Sequence, residues 1–520
     1  MGEGAGGGRV RTVFVLALLL SSFLSPWPAA AADQWIEVRS AHFTVVSNAG
    51  DRATRRLVWQ LEQVRSATSA LFSWARPDLN KPLGVIVLKD QNSMRALAPK
   101  FWEERRAVKP ASVWVTAPDQ HYLVLRTDVE AESQGTSNLT TNPYITAYFA
   151  YINLVLNQSL DRDLPLWFTR GFSGVLSNTI VNDDHVLLGA PISWNLQLLR
   201  ERAIYPLPRL LGFTRTSPET NDATPREVYD AETWAFVHFL MFGDEGKRAG
   251  QLNEFSKQVS SGRDVPAAFA ETLGPVETLD GAFRVYMQRP IYSFRRLNID
   301  VSVEREKFPV RSLTAAEAAS TRAMFHAAMW RPAEARAAIA EARKADANAA
   351  GSYVAEGLIA DQENKEPEAK AAYGRAAELN TASPYAYYRL ASLTWQPNTS
   401  KETYAEIEKH LSKAVELNVR YASAYAWLGE VRAFLGSTES IGLVRRAIQL
   451  EPMEPAHRLR AAIVLLRVGK PAEARADAQA ALALADNDAE RREAERVLEA
   501  VRKAEAAMAG RSAPVAAPPK

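Results

Sequence analysis

The side chains that most often do chemistry in proteins are sparse in this sequence. It has no cysteine and seven histidines, at positions 42, 121, 185, 238, 326, 410 and 457. None of these histidines begins a His-Glu-x-x-His motif, which would place two imidazoles on one helical face. The segment Asp183–His185 holds possible metal ligands, but beside Asn182 it is more typical of a turn. Gly171–Gly174 lacks the Gly-x-Ser-x-Gly spacing of a serine nucleophile.

One apolar stretch stands out among these residues. Asn142 can cap a helix and Pro143 suits its first turn, because proline has no N–H to leave unpaired. Apolar residues then recur at helical spacing, at Ile145, Tyr148, Phe149, Ile152 and Leu156. After a polar break at Asp161–Asp163, the chain continues with Leu-Pro-Leu-Trp-Phe-Thr-Arg-Gly-Phe-Ser-Gly over Leu164–Gly174. The spacing predicts a buried helix over Ile145–Leu156.

Strand patterns precede this stretch and helix patterns surround it. Strands are predicted at Trp35–Arg39, His42–Ser47, Leu83–Leu88, Val113–Val115 and Tyr122–Leu125. Leu83–Leu88 is a nearly continuous apolar run, which predicts a strand buried on both faces. Helices are predicted at Arg52–Phe72, Ile192–Arg202, Pro225–Phe242, Ala249–Ser260 and Leu279–Gln288. Strands first and helices later indicate an α+β domain.

Three features of this part of the chain carry a resemblance. They are Leu164-Pro165-Leu166-Trp167, Gly171 and the segment Tyr229–Leu240, which begins Tyr-x-x-x-x-Trp. Together with the small sheet before them, they resemble the peptidase-MA-like gluzincin metallopeptidases, which are often exported and often joined to tetratricopeptide (TPR) repeats. In that family a His-Glu-x-x-His helix supplies two zinc ligands and the general base, and a downstream glutamate supplies the third ligand. The resemblance implies a gluzincin-like α+β domain over residues 33–288.

Every catalytic position of the family is replaced in this chain. In the best register Phe149 stands for the first histidine, Ala150 for the base and Asn153 for the second histidine. Arg170 and Gly174 fall at the downstream acidic positions. Phenylalanine and alanine offer no lone pair, asparagine is a weak ligand, and arginine adds a positive charge where a dication would bind. The resemblance therefore implies a degenerate site with no metal, no cofactor and no catalytic residue.

Two other interpretations stay open. On periodicity alone, the helix is simply buried and Phe149 is a core aromatic residue. Alternatively, the protein is an active zinc-dependent peptidase or another hydrolase with relocated ligands, in which His185 or His238 meets acidic residues in one cleft.

Beyond Leu313 the composition shifts to alanine, leucine, glutamate and arginine, and the sequence repeats with a period near 34. Pairs of residues seven apart recur along this region, at Ala335/Ala342, Ala369/Ala376, Ile407/Ala414, Ser440/Ala447 and Ala474/Ala481. This pattern predicts five TPR-like repeats and a capping helix over residues 313–508, so an all-α TPR solenoid follows the α+β domain. Such arrays bind proteins or peptides along their concave face.

Four aromatic residues are predicted to line that groove, namely Tyr385, Tyr388, Trp395 and Phe434. The alternative for each is packing between repeats. The formal net charge is only +2, which does not favour a nucleic-acid partner. A protein or peptide ligand is the expected partner.

The termini and the connector complete the predicted organisation. Residues 1–32 combine a basic start, a short apolar run and an alanine-rich exit, which predict a signal peptide and a periplasmic or secreted protein. No later apolar run is long enough for a membrane span. Residues 289–312 are predicted to form a connector, and residues 509–520 a disordered tail.

Overall fold

The structure is a computed structural model. It describes residues 33–103, 109–129, 132–133, 140–160, 164–182, 185–289, 291–297, 305–397 and 399–512. The chain divides into two units, Met1–Gln34 and Trp35–Lys520. The predicted signal peptide lies outside the described residues, and so do Asp161–Asp163 and Asp183–Asp184. In the part of the chain that is described, no helix combines the length and the apolar content needed to cross a bilayer.

The second unit begins with an α/β region built on strands. Its described strands are β1 (Ile36–Arg39), β2 (Thr44–Ser47), β3 (Leu83–Leu88), β4 (Ser112–Thr116), β5 (His121–Arg126), β6 (Glu132–Ser133), β7 (Thr140–Thr141), β8 (Ile180–Val181), β9 (Val186–Leu188), β10 (Arg295–Leu297) and β11 (Val310–Ser312). Six of them form one sheet in the order β11-β1-β2-β3-β5-β4. The pairs β2–β3 and β3–β5 are parallel, and the other neighbours are antiparallel. The strands predicted at Val113–Val115 and Tyr122–Leu125 are present and pair with each other as an antiparallel hairpin.

Strand β3 is buried on both faces, as its continuous apolar sequence predicts. Val85 and Val87 belong to a core cluster that includes helices on one side of the sheet. Ile86 and Leu88 belong to a second cluster on the other side. Because successive side chains point to opposite faces, one strand serves two cores.

Two strands come from the segment predicted as a connector. Strand β11 pairs with β1 in the register Ile36↔Ser312, and β10 pairs with β9. Arg311 Nη2 also donates to Glu37 Oε2 at 2.9 Å. Residues 289–312 therefore contribute to the sheets of the α/β region.

The α/β region also contains helices that cover the sheet. They are α1 (Asp51–Leu71), α2 (Gln91–Leu97), α3 (Ile145–Gln158), α4 (Leu166–Ser177), α5 (Ser193–Glu201), α6 (Leu207–Gly212), α7 (Pro218–Asn221), α8 (Ala223–Phe242), α9 (Ala249–Ser260), α10 (Val265–Thr272) and α11 (Val276–Met287). Asn142 does not cap α3 as predicted. Its Oδ1 accepts from Tyr144 N and its Nδ2 donates to Thr179 O, so it closes a turn before the helix.

Residues 315–512 form an all-helical, TPR-like array. Its helices are α12 (Ala315–Ala328), α13 (Pro332–Ala345), α14 (Ala350–Gln362), α15 (Glu366–Glu378), α16 (Pro384–Thr394), α17 (Lys401–Leu417), α18 (Ala422–Phe434), α19 (Ser440–Leu450), α20 (Pro455–Arg467), α21 (Pro471–Leu484) and α22 (Asp488–Ser512). Ten of these helices pack as consecutive pairs, and α22 packs on the last pair. Small residues such as Gly357, whose added Cβ would lie 2.5 Å from Tyr373, allow this close approach.

The array packs directly against the α/β region. Phe325 of α12 meets Tyr122 of β5 edge to face, with ring centroids 5.7 Å apart. Further along, Asn80 Nδ2 donates to Leu450 O at 2.8 Å, and Asn418 Nδ2 donates to Asn80 O at 3.0 Å. The two regions are therefore joined by a shared core and by hydrogen bonds near the third and fourth helix pairs.

Candidate functional site

Two of the residues predicted to stand at zinc-site positions, Phe149 and Arg170, are in contact. Helix α3 carries Phe149, Ala150 and Asn153, and the first two are half-buried. Helix α4 packs beside it, and the guanidinium of Arg170 lies over the Phe149 ring, 5.2 Å from the centroid. A cation above an aromatic face is attracted by the ring quadrupole. Arg170 of α4 therefore contacts Phe149 of α3 directly.

The charge of Arg170 is balanced by an aspartate from helix α8. Its Nε and Nη2 donate to the two carboxylate oxygens of Asp230, a bidentate pair. Both side chains are mostly buried, at 21% and 30% exposure. Planar, two-point pairing is the geometry at which arginine is strongest.

Gly174 and Asn153, two more of the predicted zinc-site positions, are also unsuited to hold a metal ligand. At Gly174 an added Cβ would lie 3.1 Å from Trp234 Cβ, so α4 and α8 leave little room for a longer side chain there. Asn153 Oδ1 accepts from Asn157 Nδ2 at 2.9 Å. Asn153 Nδ2 is buried and has no hydrogen-bond partner among the described residues.

These residues do not fit a zinc ion. The guanidinium of Arg170 brings a fixed positive charge to these positions, and the side chains that it contacts, Phe149 and Asp230, supply no thiolate or imidazole. Within the described ranges, no group of three or more His, Cys, Asp or Glu side chains is arranged to hold a metal.

The histidines considered as relocated ligands have other partners. His238 is fully buried, and its Nε2 donates to Gly189 O at 2.8 Å while Nδ1 accepts from Tyr286 Oη at 2.7 Å. Burial lowers the pKa of His238 to about 4, although the bond to Gly189 acts in the opposite direction. His185 Nε2 lies 3.0 Å from Asn182 Nδ2.

Helix α8 holds one acid with an unusual environment. Glu232 is 1% exposed, and its Oε1 accepts from Tyr205 N at 2.7 Å. Its other oxygen has no partner among the described residues. Burial raises the pKa of Glu232 to about 8, against the lowering effects of the Tyr205 bond and Arg284. Glu232 could not be singled out from the sequence, because one glutamate in an apolar helix has no distinguishing spacing.

The four predicted groove aromatics fall into two settings. Tyr385 meets Tyr373 edge to face at 6.1 Å, and Tyr388 lies against Tyr421 at 5.2 Å and Trp427 at 5.8 Å. Burial raises the pKa of Tyr385, and the Asp119 carboxylate of the α/β region adds to that rise. These two tyrosines thus pack within the array close to the α/β region.

Trp395 and Phe434 both lie at the C-terminal ends of their helices and are exposed to solvent. Trp395 follows the last residue of α16 and is 44% exposed. Phe434 ends α18 and is 39% exposed, although it stacks on Tyr404 at 3.9 Å and lies beneath Arg467 at 4.9 Å. Among the described ring contacts, none joins two of the four predicted residues.

Comparisons with known proteins found matches among solved structures only. No family model and no characterised protein sequence matches the chain. Among solved structures, YrrB, a TPR protein with an unusual peptide-binding site, is 18% identical, covers 35% of this chain and 92% of its own, and has a TM-score of 0.30. The MamA protein is 23% identical, covers 32% of this chain and 91% of its own, and has a TM-score of 0.27. Yeast Tom70 is 11% identical, covers 72% of this chain and 88% of its own, and has a TM-score of 0.28. The assignment of TPR-like repeats rests on the helix pairs and the 34-residue period of this chain.

Proposed function

We propose that this protein is a non-catalytic binding scaffold. Its TPR-like array engages a protein or peptide, and its α/β region is a gluzincin-like frame that has lost its zinc site. The observation that carries this proposal is the exposure of Trp395 and Phe434, the exposed aromatic pair, on two neighbouring helix pairs. Exposed aromatic side chains on a helical repeat surface are typical anchors for a partner.

The state of the degenerate site supports the non-catalytic part. Arg170 lies over Phe149 and is held by Asp230, so the centre is packed and carries no base or ligand. An active hydrolase with relocated ligands is the second candidate. This candidate is disfavoured because both ring nitrogens of the buried His238 are hydrogen-bonded, one to Gly189 and the other to Tyr286.

Metal analysis separates these two candidates. The purified full chain, dialysed without chelator, is expected to contain far less than one zinc per molecule and to show no chelator-sensitive peptidase activity. One tightly held zinc equivalent, lost together with an activity on chelation, would overturn the non-catalytic proposal.

Partner binding tests the exposed aromatic pair. Proteins that co-purify with the full chain from its own cells are compared between a Trp395→Ala/Phe434→Ala variant and a Trp194→Ala/Ile291→Ala control. The control residues are also exposed, at 46% and 80%, but lie in the α/β region. At least one protein should be retained by the control and lost by the variant of the exposed aromatic pair. Equal retention of every captured protein would contradict the proposal.

Export is part of the same proposal and rests on the predicted signal peptide. The protein isolated from its cells is expected to begin near Asp33, outside the cytoplasm. Mass spectrometry of the intact N-terminus measures this directly, and a chain that still begins at Met1 would contradict it.

A further inference from the structure

A positively charged surface lies where the α/β region meets the third and fourth helix pairs. Four arginines meet there, and we call them the arginine cluster: Arg65, Arg76, Arg420 and Arg446. Arg65 comes from α1, Arg446 from α19, and the other two from the loops before β3 and before α18. The contacts of Asn80 with Asn418 and Leu450 hold these elements together.

Two members of the cluster have structural partners. Arg65 Nη2 donates to Asp78 Oδ1 at 2.5 Å, and Arg76 Nη1 donates to Gln449 O at 2.8 Å. A backbone carbonyl satisfies a hydrogen bond but does not neutralise a charge. Asp78 is therefore the one carboxylate among the described residues that is paired within the cluster.

The other two arginines have no such partner. The side chains of Arg420 and Arg446 make no hydrogen bond or ion pair with any described residue, and the buried Nε of Arg420 is unsatisfied. Partial burial lowers the pKa of Arg420, and the charges of Arg446, Arg76 and Arg65 lower it further, while Asp78 opposes them. Like charges thus crowd one another here. The cluster has three positive charges in excess, in a chain whose whole formal net charge is +2.

Open space adjoins the cluster. Arg65 and Asp78 lie in the wall of a cavity of about 460 Å³, which Lys81 also lines. The cavity thus reaches the Arg65–Asp78 side of the cluster. Groups that are costly to keep unpaired and close to one another are characteristic of binding sites.

We propose that the arginine cluster binds an acidic peptide segment of a partner protein, with Arg420 and Arg446 each pairing with one carboxylate. An extended chain can place single negative charges on separate arginines and avoid Asp78. A compact dianion such as phosphate would bring its whole charge beside the Asp78 carboxylate. This surface is distinct from the exposed aromatic pair, and the inference does not depend on the function proposed for that pair.

The probe for this proposal is a fluorescent hexaglutamate peptide, with hexaglutamine as the uncharged comparison. Binding to the full chain is measured by fluorescence anisotropy at low ionic strength and again at higher salt. The variants are Arg420→Gln, Arg446→Gln and the double variant. Arg502→Gln is the matched control, because Arg502 is an exposed arginine on α22, with only a 3.7 Å pair to Glu499.

Hexaglutamate should bind the wild type and the control, and hexaglutamine should not. Loss of one charged hydrogen-bonding partner should weaken binding about tenfold. Salt should weaken wild-type binding more than that of the double variant. Arg446 is exposed, so its variant gives an answer even if Arg420→Gln folds poorly. Without peptide, Arg446→Gln should raise the melting temperature because it relieves repulsion, whereas a purely structural arginine would lower it.

Three results would overturn the proposal. The first is that hexaglutamate does not bind, and the second is that it binds equally well to both single variants and the wild type. The third is that inorganic pyrophosphate binds in an Arg420-dependent way and hexaglutamate does not. None of these bears on the exposed aromatic pair, whose partner is measured separately.

Discussion

The guanidinium of Arg170 on α4 lies 5.2 Å above the ring centroid of Phe149 on α3. Asp230 pairs with the same guanidinium from a third helix, so one arginine side chain links α3, α4 and α8.

Removing Arg170 should therefore destabilise the α/β region. In Arg170→Leu the largely buried Asp230 carboxylate loses its partner, and we expect a loss of about 1–3 kcal/mol in the free energy of unfolding. The double variant Arg170→Leu/Asp230→Leu should recover part of that loss, because no uncompensated charge remains. Urea denaturation of the wild type, Arg170→Leu, Asp230→Leu and the double variant measures the coupling energy between the two side chains. Additive effects would show that the pair contributes nothing beyond its separate side chains.

Glu232 predicts a specific dependence of stability on pH. Its pKa is raised from the ordinary 4.5 to about 8, so between these values the folded protein keeps a proton that the unfolded chain releases. Stability should therefore fall as pH rises from about 4.5 to 8. Glu232→Gln keeps an acceptor for Tyr205 N and should become more stable than wild type by up to a few kcal/mol as pH rises through this window.

Unfolding at pH 5, 6.5 and 8 tests this expectation. Glu254→Gln, at an exposed position on α9, serves as the control. Parallel pH profiles for wild type and Glu232→Gln would mean that Glu232 is ionised in the folded protein.

Gly171 tests the contact between α4 and α8. An added Cβ would lie 2.4 Å from Val237 Cγ2 and 2.6 Å from the backbone oxygen of Thr233, which cannot move without moving α8. Gly171→Ala should cost about 1–3 kcal/mol through overpacking. Gly281→Ala, in a helix with open space around it, should gain about 0.5–1 kcal/mol from helix propensity. Thermal unfolding that ranks the two variants in the reverse order would contradict the close packing.

Asn80 tests the junction between the two regions. It is 7% exposed, and Asn80→Ala removes the donor to Leu450 O, leaving that carbonyl without its partner. We expect a loss of about 1–2 kcal/mol and faster amide exchange at the end of α19. Asn92→Ala, at an exposed position on α2, should change neither quantity. Unchanged exchange in Asn80→Ala would indicate that the shared core alone holds the regions together.

The sequence predicted the elements whose signals are local. Continuous apolar residues identified β3, and the 34-residue period identified the helix pairs, because each repeat must bury the same faces as its neighbour. It did not predict that residues 289–312 supply β10 and β11. Strands of three residues have almost no periodicity of their own and form only because a distant edge is available.

The candidate site divides in the same way. The register that aligns Phe149 with a histidine also placed Arg170 nearby, and the two are in contact. The pairing with Asp230, sixty residues later, has no sequence signal. The arginine cluster was equally hidden, since its members come from positions 65 to 446 and only the packing of the array against the α/β region brings them together.

The pairing of β11 with β1 also sets the order in which this fold can be completed. Strand β1 is among the first residues of the sheet to emerge during synthesis, yet its outer neighbour lies more than 250 residues later, at Val310–Ser312. At ordinary elongation rates that interval lasts on the order of tens of seconds. During this interval the outer edge of β1 has unpaired backbone N–H and C=O groups. A strand from elsewhere can pair with them, which is a recognised cause of misassembly. When β11 arrives, the first repeat helix follows at Ala315, so closing the sheet and starting the array are consecutive events.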